Sequence, residues 1–193
     1  MILRMNKTKR KIFETSMKLF AEKGYDATSI EEITATVGVA KGTLYYHFTS
    51  KEEIFNFLVE EGMKLLKNSI LIKTEKLENN IDKLKAVILI EIKILQKYEN
   101  FITLLLSQIW GNEERHKMCQ KYVKEYIKII EEIIKDGISK NEIVDGNPET
   151  MASGIFGLTC SGLIYKMKIK EEINVPILYK EFEKLTIEGI KKK

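Results

Sequence analysis

Apolar residues recur every three or four positions along nearly all of this chain, and this spacing constrains the fold more than any other feature. Phe13, Met17 and Phe20 form one such stripe near the start, and long segments farther along repeat the pattern. This is the periodicity of amphipathic α-helices, whereas the two-residue alternation of half-buried strands is nowhere sustained. Only two prolines occur among the 193 residues. The sequence therefore predicts an all-α fold.

Local signals place two helices in the first 38 residues. The first should run from about Lys7 to Lys23 and end at Gly24, because glycine readily takes the left-handed cap conformation. Thr28 or Ser29 can cap the second helix, since each is followed three residues later by a glutamate that completes a capping box. Gly38 then ends this helix at a sharp turn.

A third short helix, from about Ala40 to Phe48, follows the glycine turn. At 100° per residue its buried face should consist of Ala40, Leu44 and Phe48, with Thr43 and His47 beside it. The outward arc carries a cation, a glycine and two phenols: Lys41, Gly42, Tyr45 and Tyr46. Two short helices joined by a tight turn, the second polar outside, are typical of a helix-turn-helix unit that reads the DNA major groove.

The next helix, over about residues 51–73, begins with a second capping signal. Ser50 is a suitable N-cap, and Glu53 completes the capping box. Lys51 is unfavourable at the positive end of the helix dipole, which favours a role for it in binding an anion such as a DNA phosphate. Gly62 lies inside this helix and is either a pivot between domains or a point of close packing.

The net charge of +4 is concentrated at one end of the chain. Residues 1–51 contain nine basic and five acidic residues, so the rest of the chain is neutral. Such an asymmetry favours a nucleic-acid partner for the first quarter of the protein.

Composition excludes several classes of protein. Two cysteines, Cys119 and Cys160, are too few for a disulfide framework in a chain of this length. The first ten residues lack the apolar segment of a signal peptide, and no apolar run approaches the roughly 18–20 residues that span a bilayer. We expect a cytoplasmic protein without a membrane partner.

From about Asn79 onward, the spacing of apolar residues indicates a series of longer amphipathic helices. We expect them near residues 80–98, 101–110, 113–139, 148–169 and 175–191. With the first four, this makes about nine helices. The predicted organisation is a helix-turn-helix domain over residues 1–50 and a larger helical domain over residues 51–193, joined by the helix at 51–73.

The segment FAEKGYDATSIEEITATVGVAKGTLYYHFTSKEEIF, Phe20 to Phe55, closely resembles the DNA-binding signature of TetR-type transcriptional regulators. The resemblance implies a dimeric, helical protein with an N-terminal DNA-binding domain and a C-terminal domain for ligand binding and dimerisation. It also implies roles at matched positions. The helix at the major groove would contribute Lys41, Gly42, Thr43, Tyr45, Tyr46 and His47. Thr28 and Ser29 would contact the DNA backbone, and Lys51 would bind a phosphate.

Such a regulator would bind a palindromic operator, most often as a repressor, and release it when a small, largely apolar ligand binds. Aromatic residues and methionines suit an adaptable apolar cavity, although any single one of them at helical spacing is more often ordinary core. Among the acids, Glu91 in the apolar segment VILIEIKIL is the best candidate to meet a cationic ligand, although the sequence does not single one out. The candidate pocket residues are Glu91, Phe101, Leu105, Ile109, Trp110, Cys119, Tyr122, Tyr126, Phe156 and Cys160.

Small residues at four-residue spacing in the helix after Pro148 would let another helix approach closely. The resemblance implies that this helix and the last one form the dimer interface, and tight packing within one subunit is the alternative. The candidate interface residues are Ser153, Gly157, Leu158, Ser161, Gly162 and Phe182.

Three other classes of function have less support from the sequence. An enzyme or metal protein is disfavoured, because His116 and Cys119 are the only such pair and neither a catalytic thiol site nor a four-ligand zinc site can be completed. No cofactor is expected. A thiol sensor based on Cys119 or Cys160 and a constitutive or architectural DNA-binding protein without a ligand remain as alternatives.

Overall fold

The structure is a computed structural model, which describes residues 6–110, 113–169 and 172–191. Within these ranges the chain forms nine α-helices and no β-strand, as the periodicity predicts. The helices are α1 (Lys7–Lys23), α2 (Ile30–Val37), α3 (Lys41–His47), α4 (Lys51–Thr74), α5 (Asn80–Lys97), α6 (Glu99–Ser107), α7 (Glu114–Ser139), α8 (Pro148–Lys168) and α9 (Val175–Ile190). The all-α prediction is confirmed.

Short polar side chains begin most of these helices. The Asn6 side chain accepts from the amide of Lys9 at 2.8 Å, and Ser29, rather than Thr28, caps α2 by accepting from Glu32 at 3.0 Å. Asn147 caps α8 in the same way, ahead of Pro148 in its first turn. These caps satisfy amide groups that have no partner inside the helix. They explain why local sequence signals locate the helix starts.

The described residues fall into two compact units. The first contains those up to Met63 together with those of Asn100–Gln120, and the second contains those of Lys64–Glu99 and Lys121–Lys193. In the first unit α1, α2 and α3 enclose an apolar core with the first half of α4. The largest of its fully buried side chains are Ile12, Phe20, Ile33, Leu44, Phe48, Ile54, Phe55, Leu58 and Met63.

The first unit therefore ends later in the chain than the predicted domain boundary at residue 50. Phe55 explains the difference, since its ring packs against Phe20 and Tyr25, with ring centroids 6.2 and 5.1 Å apart. Ile54 and Leu58 are also completely buried. The start of α4 thus completes the core that α1–α3 cannot enclose alone.

Gly62 is a point of close packing between α4 and α6. A Cβ atom added at this position would collide with the ring of Phe101, which is itself buried. The two helices approach this closely because residue 62 has no side chain. Of the two interpretations that the sequence left open, the structure supports packing.

We predict that Gly62→Ala destabilises the protein. Alanine gains about 1 kcal/mol of helix propensity over glycine, but displacing a buried phenylalanine ring costs about 1–3 kcal/mol, so the net change should be a loss. Urea unfolding measures it. Gly42→Ala is the matched control, because an added Cβ there meets nothing within 4 Å. Equal stability of the two variants would contradict this packing assignment.

In the second unit, α5 packs against both α8 and α9. Leu84, Val87, Ile88 and Ile92 give α5 a completely buried apolar face. The segment after α7 is tied to the end of α9, because the amide of Val144 donates to the carbonyl of Ile190 at 2.9 Å. Helix α5 is therefore the centre of this unit.

None of the helices in the described ranges has an apolar stretch long enough to cross a membrane.

Candidate DNA-binding surface and buried polar cluster

The turn between α2 and α3 depends on Gly38. This residue has φ 76° and ψ 42°, a left-handed conformation that glycine adopts without strain. Its amide and that of Val39 both donate to the carbonyl of Thr34, at 2.9 and 3.1 Å. Lys11 from α1 donates to the carbonyl of Val37 at 2.7 Å. The end of α2 is thus held by hydrogen bonds, which fixes the direction in which α3 leaves it.

Buried side chains hold α3 against the rest of the first unit. Leu44 and Phe48 are almost completely inaccessible, as predicted. Ala40 is exposed, so its assignment to the buried face is wrong. It is the N-cap of α3 with an extended backbone, φ −66° and ψ 150°. The helical rotation of 100° per residue therefore does not apply to it.

The opposite face of α3 lies open to solvent. Tyr46 is 84% exposed and Tyr45 44%, large values for aromatic side chains. Lys41 and Gly42 are exposed beside them, and Thr43 and His47 are half-buried at the border. The ring of Tyr46 packs edge-to-face on that of His47, with centroids 5.0 Å apart. The structure brings together on one surface the six residues that the resemblance assigns to the major groove.

Lys41 forms an ion pair with Glu31 of α2, with Nζ and Oε1 2.5 Å apart. This hydrogen bond raises the pKa of Lys41 and lowers the pKa of Glu31. Both side chains are well exposed, and exposed pairs contribute little to stability. Lys41 can therefore exchange this carboxylate for a DNA phosphate or a guanine at small cost.

Thr28 and Lys51 have internal roles that sequence reasoning did not anticipate. The hydroxyl of Thr28 is buried and donates to the carbonyl of Gly24 at 2.8 Å. The ammonium of Lys51 donates to the carbonyls of Tyr25 and Thr28, both at 2.9 Å. Both side chains thus stabilise the α1–α2 connection, which gives a structural reason for the lysine in the first turn of α4. Ser29 is exposed, and its hydroxyl caps α2.

The second unit contains a buried polar cluster around Glu91. This residue is completely buried in α5, and the Tyr126 hydroxyl donates to its Oε1 at 2.5 Å. Within the described residues Oε2 has no hydrogen-bond partner. The neighbouring Thr159 hydroxyl already donates to the carbonyl of Ile155 at 3.0 Å. A buried carboxyl oxygen without a partner is costly and requires an explanation.

Burial raises the pKa of Glu91 to about 7, even though the hydrogen bond from the Tyr126 hydroxyl lowers it. Burial also raises the pKa of Tyr126 and that of Cys160 well above their usual values, and the charge of Glu91 adds to both shifts. The ring of Phe156 packs against Tyr126, with centroids 5.3 Å apart. Glu91 is therefore the group of this cluster that changes charge near neutral pH.

The ten candidate pocket residues are divided between the two units. Glu91, Tyr126, Phe156 and Cys160 lie together in the second unit, which also contains the half-buried Tyr122. The other five belong to the first unit: Phe101, Leu105, Ile109, Trp110 and Cys119. Of these, Trp110 is 84% exposed, so its assignment to an enclosed cavity is not supported. Sequence spacing could not distinguish these two groups, because both consist of apolar residues at helical spacing.

Both cysteines are buried thiols. Burial raises the pKa of Cys119 to about 11, although the nearby Arg115 lowers it. Burial also raises the pKa of Cys160 well above its usual value. Reactive cysteines are partly exposed and have a lowered pKa. The structure therefore gives no support to the thiol-sensor alternative.

The structure contains a groove in the second unit that the sequence does not predict. It has a volume of about 690 Å³ and lies in the second unit, between the end of α4, the start of α5 and the second half of α7. Leu71 and Ile72 at its edge are at least half exposed. Their exposure departs from the helical apolar pattern, and only the three-dimensional structure reveals it.

Helix α8 presents small residues on an exposed face. Ser153, Gly157 and Ser161 are exposed, and Leu158 is half-buried. Gly162 and Phe182 differ, because they pack on each other within the subunit. A Cβ added at Gly162 would lie 2.6 Å from Cζ of Phe182, which is 7% exposed. For these two residues the structure supports the alternative of packing inside one subunit.

Two comparisons identify the protein family. A family model described as bacterial regulatory proteins of the tetR family matches residues 12–58, which contain most of α1, all of α2 and α3, and the start of α4. A solved structure from Clostridium perfringens, provisionally named a fatty acid metabolism regulator, is 34% identical with a TM-score of 0.88. The match covers 95% of this chain and 100% of that one. The chain belongs to the TetR family.

Other relatives of this TetR-family regulator agree with the assignment. An HTH-type transcriptional regulator of Bacillus subtilis, YerO, is 34% identical over 129 residues, which are 65% of this chain and 45% of YerO. The negative regulator of the biofilm operon icaADBC in Staphylococcus aureus, IcaR, is 40% identical over 76 residues, 39% of this chain and 41% of IcaR. The chain thus matches less than half the length of these curated relatives. The predictions of the family and of a helix-turn-helix transcription regulator are confirmed.

Proposed function

We propose that this TetR-family regulator is a homodimeric repressor that binds a palindromic operator and is released by a small ligand. One observation carries the proposal. Lys41, Tyr45 and Tyr46 form an exposed cationic and phenolic surface on α3, while Leu44 and Phe48 fix the same helix in the core. Lysine can bind guanine acceptors or phosphates, and tyrosine can bind phosphates or contact thymine methyl groups.

The excess charge supports the same proposal. The first 51 residues contain the whole net charge of +4, and DNA affinity depends on cations placed near phosphates. In a twofold-symmetric dimer, two recognition helices about one helical turn of DNA apart, roughly 34 Å, would meet the two half-sites of a palindrome. The name of IcaR, a negative regulator, supports repression rather than activation.

Dimerisation through α8 and α9 is supported by the apolar surface that these helices expose. Tyr165 of α8 and Ile177 and Leu185 of α9 are each more than half exposed, beside the small residues Ser153 and Gly157. Large exposed apolar side chains on neighbouring helices are typical of an interaction surface. A twofold interface would bury the same residues of both subunits.

Leu185→Glu tests the dimer. A charge placed in an apolar interface must be desolvated without a partner, so we predict a monomer in light scattering and an operator affinity at least roughly tenfold lower, because the second half-site is lost. Leu71→Glu is the matched control, since Leu71 is also an exposed leucine but lies on α4. A dimeric Leu185→Glu protein with normal operator binding would contradict the proposed interface.

For the ligand we propose the Glu91 cluster as the polar end of the binding site. The unpartnered Oε2 of Glu91 can accept from a ligand when the acid is ionised and donate to it when the acid is protonated. The surrounding Phe156 and Cys160 suit an apolar body. The provisional name of the Clostridium perfringens relative makes fatty acids and their thioesters the first compounds to screen for release of operator DNA.

A further inference from the structure

Arg115 is a cation in an unfavourable place. It lies in the first turn of α7, where the helix dipole is positive and favours acidic residues. Its side chain is nevertheless only 12% exposed. A largely buried arginine at this end of a helix must be stabilised by contacts other than those of its own helix.

Those contacts reach the connection between α1 and α2. The guanidinium carbon lies 4.3 Å from the centroid of the Tyr25 ring, which is the geometry of a stacked cation–π contact. Nη2 lies 3.4 Å from Oδ2 of Asp26 and 3.0 Å from Oε2 of Glu113, and Nε donates to Oε1 of Gln108 at 2.7 Å. Arg115 therefore joins the segment before α7 to the α1–α2 connection, 89 residues away in sequence.

Tyr25 also contacts the elements that hold the DNA-binding helices. Lys51 of α4 lies 4.4 Å from the centroid of its ring and donates to its carbonyl at 2.9 Å. The ring packs against Phe20 of α1 and Phe55 of α4, with centroids 5.3 and 5.1 Å apart. Tyr25 is thus the common contact of α1, α4 and α7, four residues before the N-cap of α2.

We infer that Arg115 is a positioning residue for DNA recognition: by holding Tyr25 and Asp26, it sets the position of the start of α2 and hence of α3. The inference rests on the proposed DNA-binding function and deepens it, because it names a residue outside α3 on which specific binding depends.

The test compares three variants. Arg115→Ala removes the stacking and the hydrogen bonds. Arg115→Lys keeps the charge but loses the planar guanidinium, which stacks on the ring and donates several hydrogen bonds at once. Lys117→Ala is the matched control, because Lys117 lies in the same region of α7 and pairs with the exposed Glu114. Binding is measured by anisotropy on a duplex selected from random DNA by the wild-type protein and on a scrambled duplex of equal length.

We expect Arg115→Ala to bind the selected duplex about tenfold more weakly and the scrambled duplex within about twofold of wild type. Positioning affects the specific contacts, whereas nonspecific affinity comes from phosphates alone. Arg115→Lys should fall in between, and Lys117→Ala should resemble wild type. A purely structural role would instead weaken both duplexes together with thermal stability.

The inference is overturned if Arg115→Ala binds like Lys117→Ala, or if it weakens both duplexes equally with a smaller salt dependence, which would mean a direct phosphate contact. If Arg115→Ala does not fold, Arg115→Lys decides by the same criteria.

If the wild-type protein selects no sequence, the proposed function fails, and hydrogen exchange tests the inference separately. Faster exchange over residues 24–30 in Arg115→Ala than in Lys117→Ala supports it, and equal exchange overturns it.

Discussion

Replacing Tyr46 by alanine should weaken operator binding by at least about tenfold without changing the stability of the protein. The side chain is 84% exposed, so its removal leaves no cavity, and surface substitutions of this kind usually change stability by less than about 0.5 kcal/mol. Lys41→Ala should weaken binding similarly and also reduce the slope of log affinity against log salt by about one, if the lysine binds a phosphate. Anisotropy titrations over a salt series measure both quantities.

Trp110→Ala is the matched control for Tyr46→Ala. Trp110 is also 84% exposed but lies just after α6 rather than on α3, so its removal should leave operator affinity unchanged. Light scattering should show the same assembly for all three variants and the wild type. If Tyr46→Ala and Lys41→Ala both bind the operator normally, the assignment of the recognition surface is wrong.

Replacing Glu91 by glutamine should stabilise the protein at pH 8 and have little effect at pH 5. Burial raises the pKa of Glu91 from 4.5 to about 7, so the folded protein holds one more proton than the unfolded chain between these values. Stability contributed by the neutral acid is complete below pH 4.5 and is lost as the pH rises to about 7. The loss in the free energy of unfolding is roughly 3 kcal/mol. It does not occur in the Glu91→Gln variant, because glutamine cannot ionise.

The other polar groups facing Glu91 do not complicate this experiment. Tyr126 from α7 and Cys160 from α8 have pKa values raised well above neutrality, and the Thr159 hydroxyl does not titrate. Glutamine can still accept the hydrogen bond from Tyr126. Urea unfolding of both proteins at fixed concentration gives the difference in unfolding free energy at each pH. A difference that stays constant from pH 5 to pH 8 would show that Glu91 is not a titrating buried acid.

Local sequence patterns over three or four residues predict where most of the helices begin and end. Ser29 caps α2, Gly38 ends it in a left-handed conformation, and Pro148 opens α8. These effects depend on neighbouring residues only, so the sequence reveals them directly. The same holds for the exposed face of α3, because Leu44 and Phe48 anchor the helix one turn apart.

Contacts between distant parts of the chain could not be predicted in this way. Lys51 resembles a phosphate ligand in sequence, yet its ammonium binds two carbonyls of the α1–α2 connection. Gly162 resembles part of a helix interface between subunits, yet it packs against Phe182. Arg115 gives no local signal of its contact with Tyr25. In each case the partner is determined by tertiary packing, which helical spacing does not encode.

The central claim, that the surface of α3 reads a specific DNA sequence, is tested most directly by binding to the DNA that flanks this protein's own coding region. Anisotropy titrations with this duplex and a scrambled one, over a salt series, suffice. If α3 reads a specific sequence, binding is sub-micromolar and sequence-dependent, with a steep salt dependence. Equally weak binding to both duplexes, followed by a selection from random DNA that yields no motif, would contradict it.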